Sequence, residues 1–447
     1  MSLKTIRRLG KPRAAVLLLM LAACLPVRAQ DAGQGAASLP DPRWNFHFQS
    51  TLVGQGVLPF PAKYSGANSL EANGELKNTL SFDVGGDVRL WRGGEFVADV
   101  LVWQGYGLSN ATGVAGFPNG EAYRVGKTYP DAYLSRAYLR ETITLGAEAD
   151  ASAGPNPASS GSGGERLTFM VGHYPVTDVF DKNRYANDPR TQFMNWSLVN
   201  NVAWDYAANS LGITNGASAA FDVHSWSARL GIFQVSQFAN GIRMDWNIDQ
   251  AHFLTLEVEH RFALNGHAGA ARLLAYRESA HMGNYQDSLA DPQSISSTGQ
   301  LAYRSKYGLG LNLEQEIHKD IGAFARLGWS DGRNQIWEFT DVDRTASAGI
   351  SLEGNAWDRP GDTAGLAAVV NGISAVHRQF IANGGLGITV GDGRLSYRKE
   401  EMLEAYYSFA TRWGVSISPD FQFVVDPAYN RDRGPAPIFA LRFHWER

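Results

Sequence analysis

Alternation of apolar and polar residues is the feature that most limits what this chain can fold into. In residues 252–262, HFLTLEVEHRF, leucine, valine and phenylalanine occupy one set of alternate positions, and charged residues or threonine occupy the other. Side chains of a β-strand point alternately to opposite faces, so the segment predicts a strand with one apolar and one charged face. At about 3.4 Å per residue and a tilt of about 45°, such a strand rises about 25 Å, enough to cross the apolar layer of an outer membrane.

The same alternation recurs along the chain, in residues 44–51, 79–91, 132–145, 307–317, 321–329, 404–418 and 438–445. No segment shows three turns of helical periodicity. The strand at 307–317 and the next at 321–329 share an apolar face only if an odd number of residues joins them, most simply residues 318–320. That register places Ile317 opposite Ile321 and brings Glu314 near Arg326.

These strands fit two architectures. A soluble sandwich buries its apolar faces between sheets, whereas a membrane barrel turns them to lipid and its charged faces to a wet lumen. The aromatic-rich first and last strands can pair to close a ring. About 418 residues, at roughly 26 per strand and connection, give about sixteen strands. We therefore predict an all-β, transmembrane antiparallel β-barrel of about sixteen strands, with a carbohydrate-binding sandwich as the alternative.

The N-terminus predicts export. Residues 1–29 combine a basic start with an apolar stretch and read as a signal peptide, cut before Gln30 or, as a lipoprotein, before Cys24. Residues 30–43 form a flexible Ala/Gly-rich lead, and residues 44–447 a single barrel in the outer membrane. Residues 30–447 keep 34 of the 40 basic residues against all 44 acidic ones, a net charge of −10, which argues against a nucleic-acid partner.

Enzyme signatures are weak. Residues 120–128, GEAYRVGKT, look like a phosphate loop but have five residues between the glycines where that loop has four. There is no Gly-x-Ser-x-Gly turn, and the ten His residues lack metal-ligand spacing. We expect no catalytic residues, no metal and no cofactor.

The polar strand faces supply the candidate functional residues. Sugar hydroxyls need hydrogen-bond donors and acceptors, and sugar rings stack on aromatic side chains, so a sugar channel needs charged residues interleaved with aromatic ones. Residues with this composition are Arg89, Trp91, Arg136, Tyr138, Arg140, Glu257, Arg261, Glu314 and Arg326. The alternative is a purely structural role, in which their charges form cross-strand ion pairs. Trp103 and Phe117, beside the long Gly-rich loop 105–130, are candidate stacking rings or interface anchors.

One long segment carries a family resemblance. Residues 178–196, DVFDKNRYANDPRTQFMNW, with YSGANSL, GWSDGRNQIWEFTDVDR and PAYNRDRGP elsewhere, resemble the carbohydrate-selective porins typified by glucose-inducible porins of Gram-negative outer membranes. Asp188, Arg190, Asn195 and Trp196 stand in this motif, whose role is either packing of the channel neck or contact with solute. One departure is that Glu446 and Arg447 follow the terminal Trp445.

The resemblance implies a sixteen-stranded barrel through which monosaccharides and related small solutes diffuse into the periplasm. Its implied partners are small sugars, outer-membrane lipids and the barrel-assembly machinery. A non-selective or organic-acid-selective porin is the alternative function.

Overall fold

The computed structural model describes residues 43–121, 126–145, 165–297, 299 and 301–447. The signal peptide, all but the last residue of the lead, and the segment 146–164 therefore lie outside the described residues. The strands are β1 Trp44–Val57, β2 Glu75–Trp91, β3 Gly94–Gly105, β4 Lys127–Thr144, β5 Arg166–Tyr174, β6 Thr214–Val223, β7 Trp226–Phe233, β8 His252–Leu264, β9 His267–Met282, β10 Ala302–His318, β11 Ile321–Ser330, β12 Arg344–Glu353, β13 Thr363–Gly372, β14 Glu400–Ala410, β15 Val415–Val425 and β16 Ala436–Glu446. The α-helices among the described residues are α1 Trp196–Val199 and α2 Ala375–Ala382.

The sixteen strands form one closed barrel in which every strand pairs antiparallel with its neighbours in sequence. The predicted closure is confirmed, because β1 and β16 pair over nine residues, from Gln49 opposite Glu446 to Val57 opposite Ile438. Arg447 extends this ladder, since it exchanges two backbone hydrogen bonds with Phe48. The two residues after Trp445 thus belong to the sheet.

The two ends of the barrel differ in the length of their connections. Both termini of the barrel lie at the end whose connections, apart from 145–165, are short, such as the two-residue turns 265–266 and 319–320. The opposite end carries long loops such as 175–213 and 373–399. Bacterial outer-membrane barrels have short periplasmic turns and longer extracellular loops. The first end is therefore periplasmic and the second extracellular.

The faces of the strands are inverted relative to a soluble protein. On β8 the outward Leu256 is 46% exposed, while the inward Glu257 and Glu259 are 1% and 4% exposed. The same holds on β10 and β11, where Leu309 and Leu327 are more than half exposed and Asn312 is buried inside. An apolar outer surface around a polar interior is the arrangement of a membrane barrel and excludes the sandwich.

The turn between β10 and β11 corrects one predicted register. His318, not Ile317, lies opposite Ile321, and the pairing shifts between Glu316 and His318. A two-residue turn plus this bulge supplies the odd number of residues that parity required. Glu314 lies opposite Phe324, one diagonal step from Arg326, and the two side chains bond to different partners.

Two further expectations about strands were wrong. Residues 404–418 are not one strand, because a turn at 411–414 separates β14 from β15 and Gly414 there has φ +76°. The Gly-rich loop 105–130 is shorter than expected, since β4 begins at Lys127. No helix in the described ranges is long and apolar enough to cross a membrane.

Candidate functional site

The connection between β5 and β6, residues 175–213, folds into the barrel, and we call it the constriction loop. Its Phe193, Leu198 and Trp204 are at most 2% exposed and pack against inward-facing side chains of the wall. Helix α1 lies within it and begins after Asn195, whose side-chain oxygen accepts a hydrogen bond from the backbone N–H of Ser197. The loop therefore narrows the lumen with an ordered, packed segment.

Carboxylates of the barrel wall hold this loop by its backbone. Glu257, Glu314 and Glu404, on β8, β10 and β14, each accept a hydrogen bond from a backbone N–H of the constriction loop, at 2.8, 2.7 and 2.9 Å. The three glutamates come from separate strands between β8 and β14, so the loop is anchored to this side of the barrel wall at three points.

Arg326 on β11 is the most connected of these anchors. It is 1% exposed, and its guanidinium donates to the carbonyl oxygens of Leu198 and Ala186 at 2.7 Å each and to Asp181 Oδ1 at 3.3 Å. A planar group with five donors suits this bridging role. As a correction to the sequence prediction, Arg326 holds the constriction loop and does not line the channel.

The family-motif residues Asp188 and Arg190 serve the loop itself. Asp188 Oδ1 accepts from the backbone N–H of Arg190 at 2.9 Å, which closes a local turn. The Arg190 side chain pairs with Glu121 and with Asp83 on β2, at 2.7 Å each. The two roles considered for the motif are packing of the channel neck and contact with solute. These contacts favour packing.

The other two motif residues, Asn195 and Trp196, also make packing contacts. Asn195 is fully buried and donates to the carbonyl of Gly116 at 2.8 Å. The half-buried Trp196 ring stacks on Phe117, with ring centroids 5.3 Å apart. Phe117 and Trp103 are only 1% and 8% exposed, so both belong to the packed interior and neither acts as a free stacking ring or an interface anchor.

A cavity of about 670 Å³ lies on the periplasmic side of the constriction loop. Five of the predicted channel-lining residues border it, namely Arg136, Tyr138, Arg140, Arg261 and Glu314. Its other charged lining residues are Arg166, Asp178, Lys182, Arg184, Asp222, Arg229, Glu259 and Arg272. The structure thus brings residues from seven neighbouring strands, β4 to β10, and from the constriction loop to one space large enough for a small solute.

The remaining predicted residues lie elsewhere. Arg89 and Trp91 are exposed beside the periplasmic turn between β2 and β3, where Trp91 Nε1 donates to Glu141 Oε2 at 2.6 Å. Glu257 is buried under the constriction loop and pairs with Arg229 at 2.8 Å. None of the three borders the cavity described above. Glu257 instead anchors the constriction loop, and the role of Arg89 and Trp91 as channel lining stays a prediction.

Ion pairs organise the cavity wall. Arg136 on β4 donates to both carboxylate oxygens of Asp178, at 2.6 and 2.8 Å, and to Asp99 at 3.2 Å. Arg140 pairs with Glu95. The alternative role as members of ion pairs therefore applies in part, because both arginines form ion pairs. Both also border the cavity.

Sequence reasoning missed several cationic lining residues. Arg229 and Arg272 lie on strands whose inward faces are partly apolar, because Phe233 on β7 and Leu274 and Tyr276 on β9 pack inside the barrel. With apolar residues on both faces, β9 shows no clean alternation. Lys182 is one of three basic residues in the quoted family segment, and no local pattern in the sequence distinguishes it from Arg184 and Arg190.

Comparison with known proteins agrees with this geometry. The barrel resembles OprB of Pseudomonas putida, solved at high pH, with TM-score 0.68 and 16% identity over 90% of this chain and 94% of that one. The chain is 25% identical to porin AaxA of Chlamydia pneumoniae over 281 residues, 62% of this chain and 55% of that relative, so the match spans about half of the relative's length. The model of the OprB family of carbohydrate-selective porins matches residues 67–446. The chain therefore belongs to the OprB carbohydrate-selective porin family, and it is a non-enzymatic β-barrel channel of the outer membrane.

Proposed function

We propose that this channel passes monosaccharides and related small solutes into the periplasm by diffusion. The observation that carries the proposal is the set of guanidinium groups around the cavity. Arg136, Arg140 and Arg166 come from β4 and β5, and Arg229, Arg261 and Arg272 from β7, β8 and β9. A solute leaving the constriction loop towards the periplasm meets planar donors on both stretches of wall.

Guanidinium donors suit sugar hydroxyls. Three of the five N–H groups of Arg136 bond to Asp178 and Asp99, which leaves two for a passing hydroxyl. The carboxylates fix the orientation of the guanidinium and also offer acceptors to the hydroxyls. In a wet lumen each exchange of water for solute is worth about 1 kcal/mol, weak enough for rapid release.

Aromatic stacking contributes less than the sequence suggests. Tyr138 lies between Arg136 and Arg140 and borders the cavity, but it is only 8% exposed. Its ring packs edge-on against Tyr174 with centroids 5.5 Å apart. We therefore propose hydrogen bonding to the arginines as the main interaction with sugar.

Liposome swelling tests the proposal directly. Proteoliposomes of the folded protein should swell faster in monosaccharides than in amino acids of equal size. Equal rates for all solutes of one size would instead indicate a non-selective porin, and the absence of both swelling and bilayer conductance would exclude a channel.

Removing the two predicted arginines tests whether these residues bind sugar. We expect Arg136→Ala combined with Arg140→Ala to weaken sugar block of ion current roughly tenfold, because hydrogen bonding worth about 1.4 kcal/mol in total is lost and every 1.4 kcal/mol is a factor of ten. Single-channel conductance should stay equal or rise. Arg89→Ala removes a cation outside the cavity and serves as the control. Unchanged sugar block with altered ion selectivity would make these arginines an electrostatic lining only.

We also propose two partners beyond the solute. Exposed leucines such as Leu256 and Leu309 on the outer face support outer-membrane lipids as the first. The barrel-assembly machinery, expected for a chain with this barrel, is the second.

A further inference from the structure

The cavity is basic although the chain is acidic. Eight cationic side chains and four carboxylates border it, an excess of four positive charges. The whole chain has a formal net charge of −4. Positive charge is therefore concentrated along the solute path, where low-dielectric walls focus its field and raise the local concentration of anions.

Lys182 of the constriction loop differs from the other seven cations. Each of the seven arginines that border the cavity lies within 4.0 Å of a carboxylate oxygen. The Lys182 ammonium has neither an ion pair nor a hydrogen bond to any of the described residues. Of the cationic groups bordering the cavity, it alone can receive an anion without first giving up a carboxylate of the described chain.

The backbone around Lys182 is held rigidly. Asn312 on β10 donates to Asp181 Oδ1 at 2.7 Å and to the carbonyl of Lys182 at 3.2 Å, and it accepts from Asn183 Nδ2 at 2.7 Å. One wall residue thus fixes three consecutive loop residues. The lysine stem extends from an anchored point, so its ammonium group stays within reach of the cavity.

From these observations we propose that Lys182 is an anion-binding point that favours monosaccharides carrying one carboxylate, such as aldonic and uronic acids. The inference rests on the proposed function of the channel. The ammonium group takes the carboxylate as a compact charge with three rotatable donors, while the remaining N–H groups of Arg136 take the hydroxyls. One unpaired cation matches one negative charge, and partial exposure keeps the ion pair weak enough for release.

The test compares glucuronate with glucose in liposome swelling, using full-length protein. Wild type should admit glucuronate faster than glucose. Lys182→Gln should lower the glucuronate-to-glucose rate ratio roughly fivefold, as expected for an ion pair of about 1 kcal/mol, and Lys182→Arg should largely restore it. Heat-modifiable gel migration checks that each variant is folded.

Arg184→Gln is the matched control, because Arg184 is the next cation of the same loop and borders the same cavity, but its Nη2 already lies 4.0 Å from Glu353. It removes the same charge and should lower the ratio less than half as much. An equal loss in both variants would overturn the role of Lys182 in favour of net charge, as would an unchanged ratio in Lys182→Gln. If wild type admits neither sugar, the proposed function itself fails, so the two failures are distinguishable.

Discussion

Truncation of Arg326 offers the sharpest test of how the channel is narrowed. Arg326→Ala removes four hydrogen bonds to the constriction loop, at 2.7, 2.7, 3.2 and 3.3 Å. The Asp181 carboxylate keeps partners in Asn312 Nδ2 at 2.7 Å and the backbone N–H of Asn201 at 2.8 Å, but the carbonyls of Asp181, Ala186 and Leu198 lose their arginine donor. The variant therefore weakens the loop without removing all of its anchors.

The expected free-energy cost of Arg326→Ala follows from the burial of its ion pair with Asp181. Removing one partner of a buried ion pair costs about 3 to 5 kcal/mol. Lumen water can enter the vacated space and satisfy the carbonyls, so the lower figure, about 3 kcal/mol, applies. Every 1.4 kcal/mol is a factor of ten, which gives roughly a hundredfold rise in the population of the displaced loop. The barrel strands do not depend on this contact and should remain closed.

Planar-bilayer recording measures the effect. Arg326→Ala should show larger single-channel conductance and more open-channel noise than wild type, with normal heat-modifiable migration. Arg326→Lys should be intermediate, because an ammonium group cannot bridge three loop residues. Arg184→Ala, on the exposed part of the same loop, is the control. A folded Arg326→Ala channel with wild-type conductance and noise would refute the idea that Arg326 holds the constriction.

Two further predictions concern the outer face and the periplasmic turns. Leu256→Arg, at mid-depth on the lipid face, should destabilise the inserted barrel by about 2 to 4 kcal/mol, and Leu264→Arg, at the periplasmic end of the same strand, by about 0 to 1 kcal/mol; equal urea-unfolding shifts in liposomes would show that the faces or depths are wrong. In the turn between β12 and β13, hydrogen bonding from Arg359 lowers the pKa of Asp362 to about 2. Because this pKa is lower in the folded state than the value near 3.8 in the unfolded chain, the ionised Asp362 stabilises the fold above pH 3.8. This contribution is lost as the pH falls through about 2, so wild type should lose more thermal stability than Asp362→Asn between pH 4 and pH 2. Equal losses of thermal stability would refute this contribution.

The sequence and the structure disagree most where the constriction loop touches the wall. Asn312 and Thr255 lie on the polar faces of their strands, and alternation alone predicts that substitutions there are tolerated. The structure shows both buried, at 3% and 1% exposed, and Asn312 bonds to three residues of the loop. Substitution of Asn312 should therefore perturb the constriction, which corrects that expectation.

The sequence by itself determined the barrel. Lipid is a uniform apolar solvent on one side of every strand, so the alternation in β2, β8 and β10 is readable without knowledge of neighbours. It also predicted the closure of β1 on β16 and the number of strands. Arg136, Arg140 and Arg261 were found because they occupy the polar positions of such strands.

Only the tertiary structure decided the path of the solute. The constriction loop meets the wall through contacts more than a hundred residues apart in sequence, such as Arg326 with Ala186 and Asn312 with Asn183. No local pattern encodes which inward-facing polar residue lies beneath the loop and which borders the cavity. For the same reason Glu257 and Arg326 read like lining residues in the sequence but act as anchors. The partly exposed Lys182 ammonium could be distinguished only from the ion pairs that the surrounding arginines make.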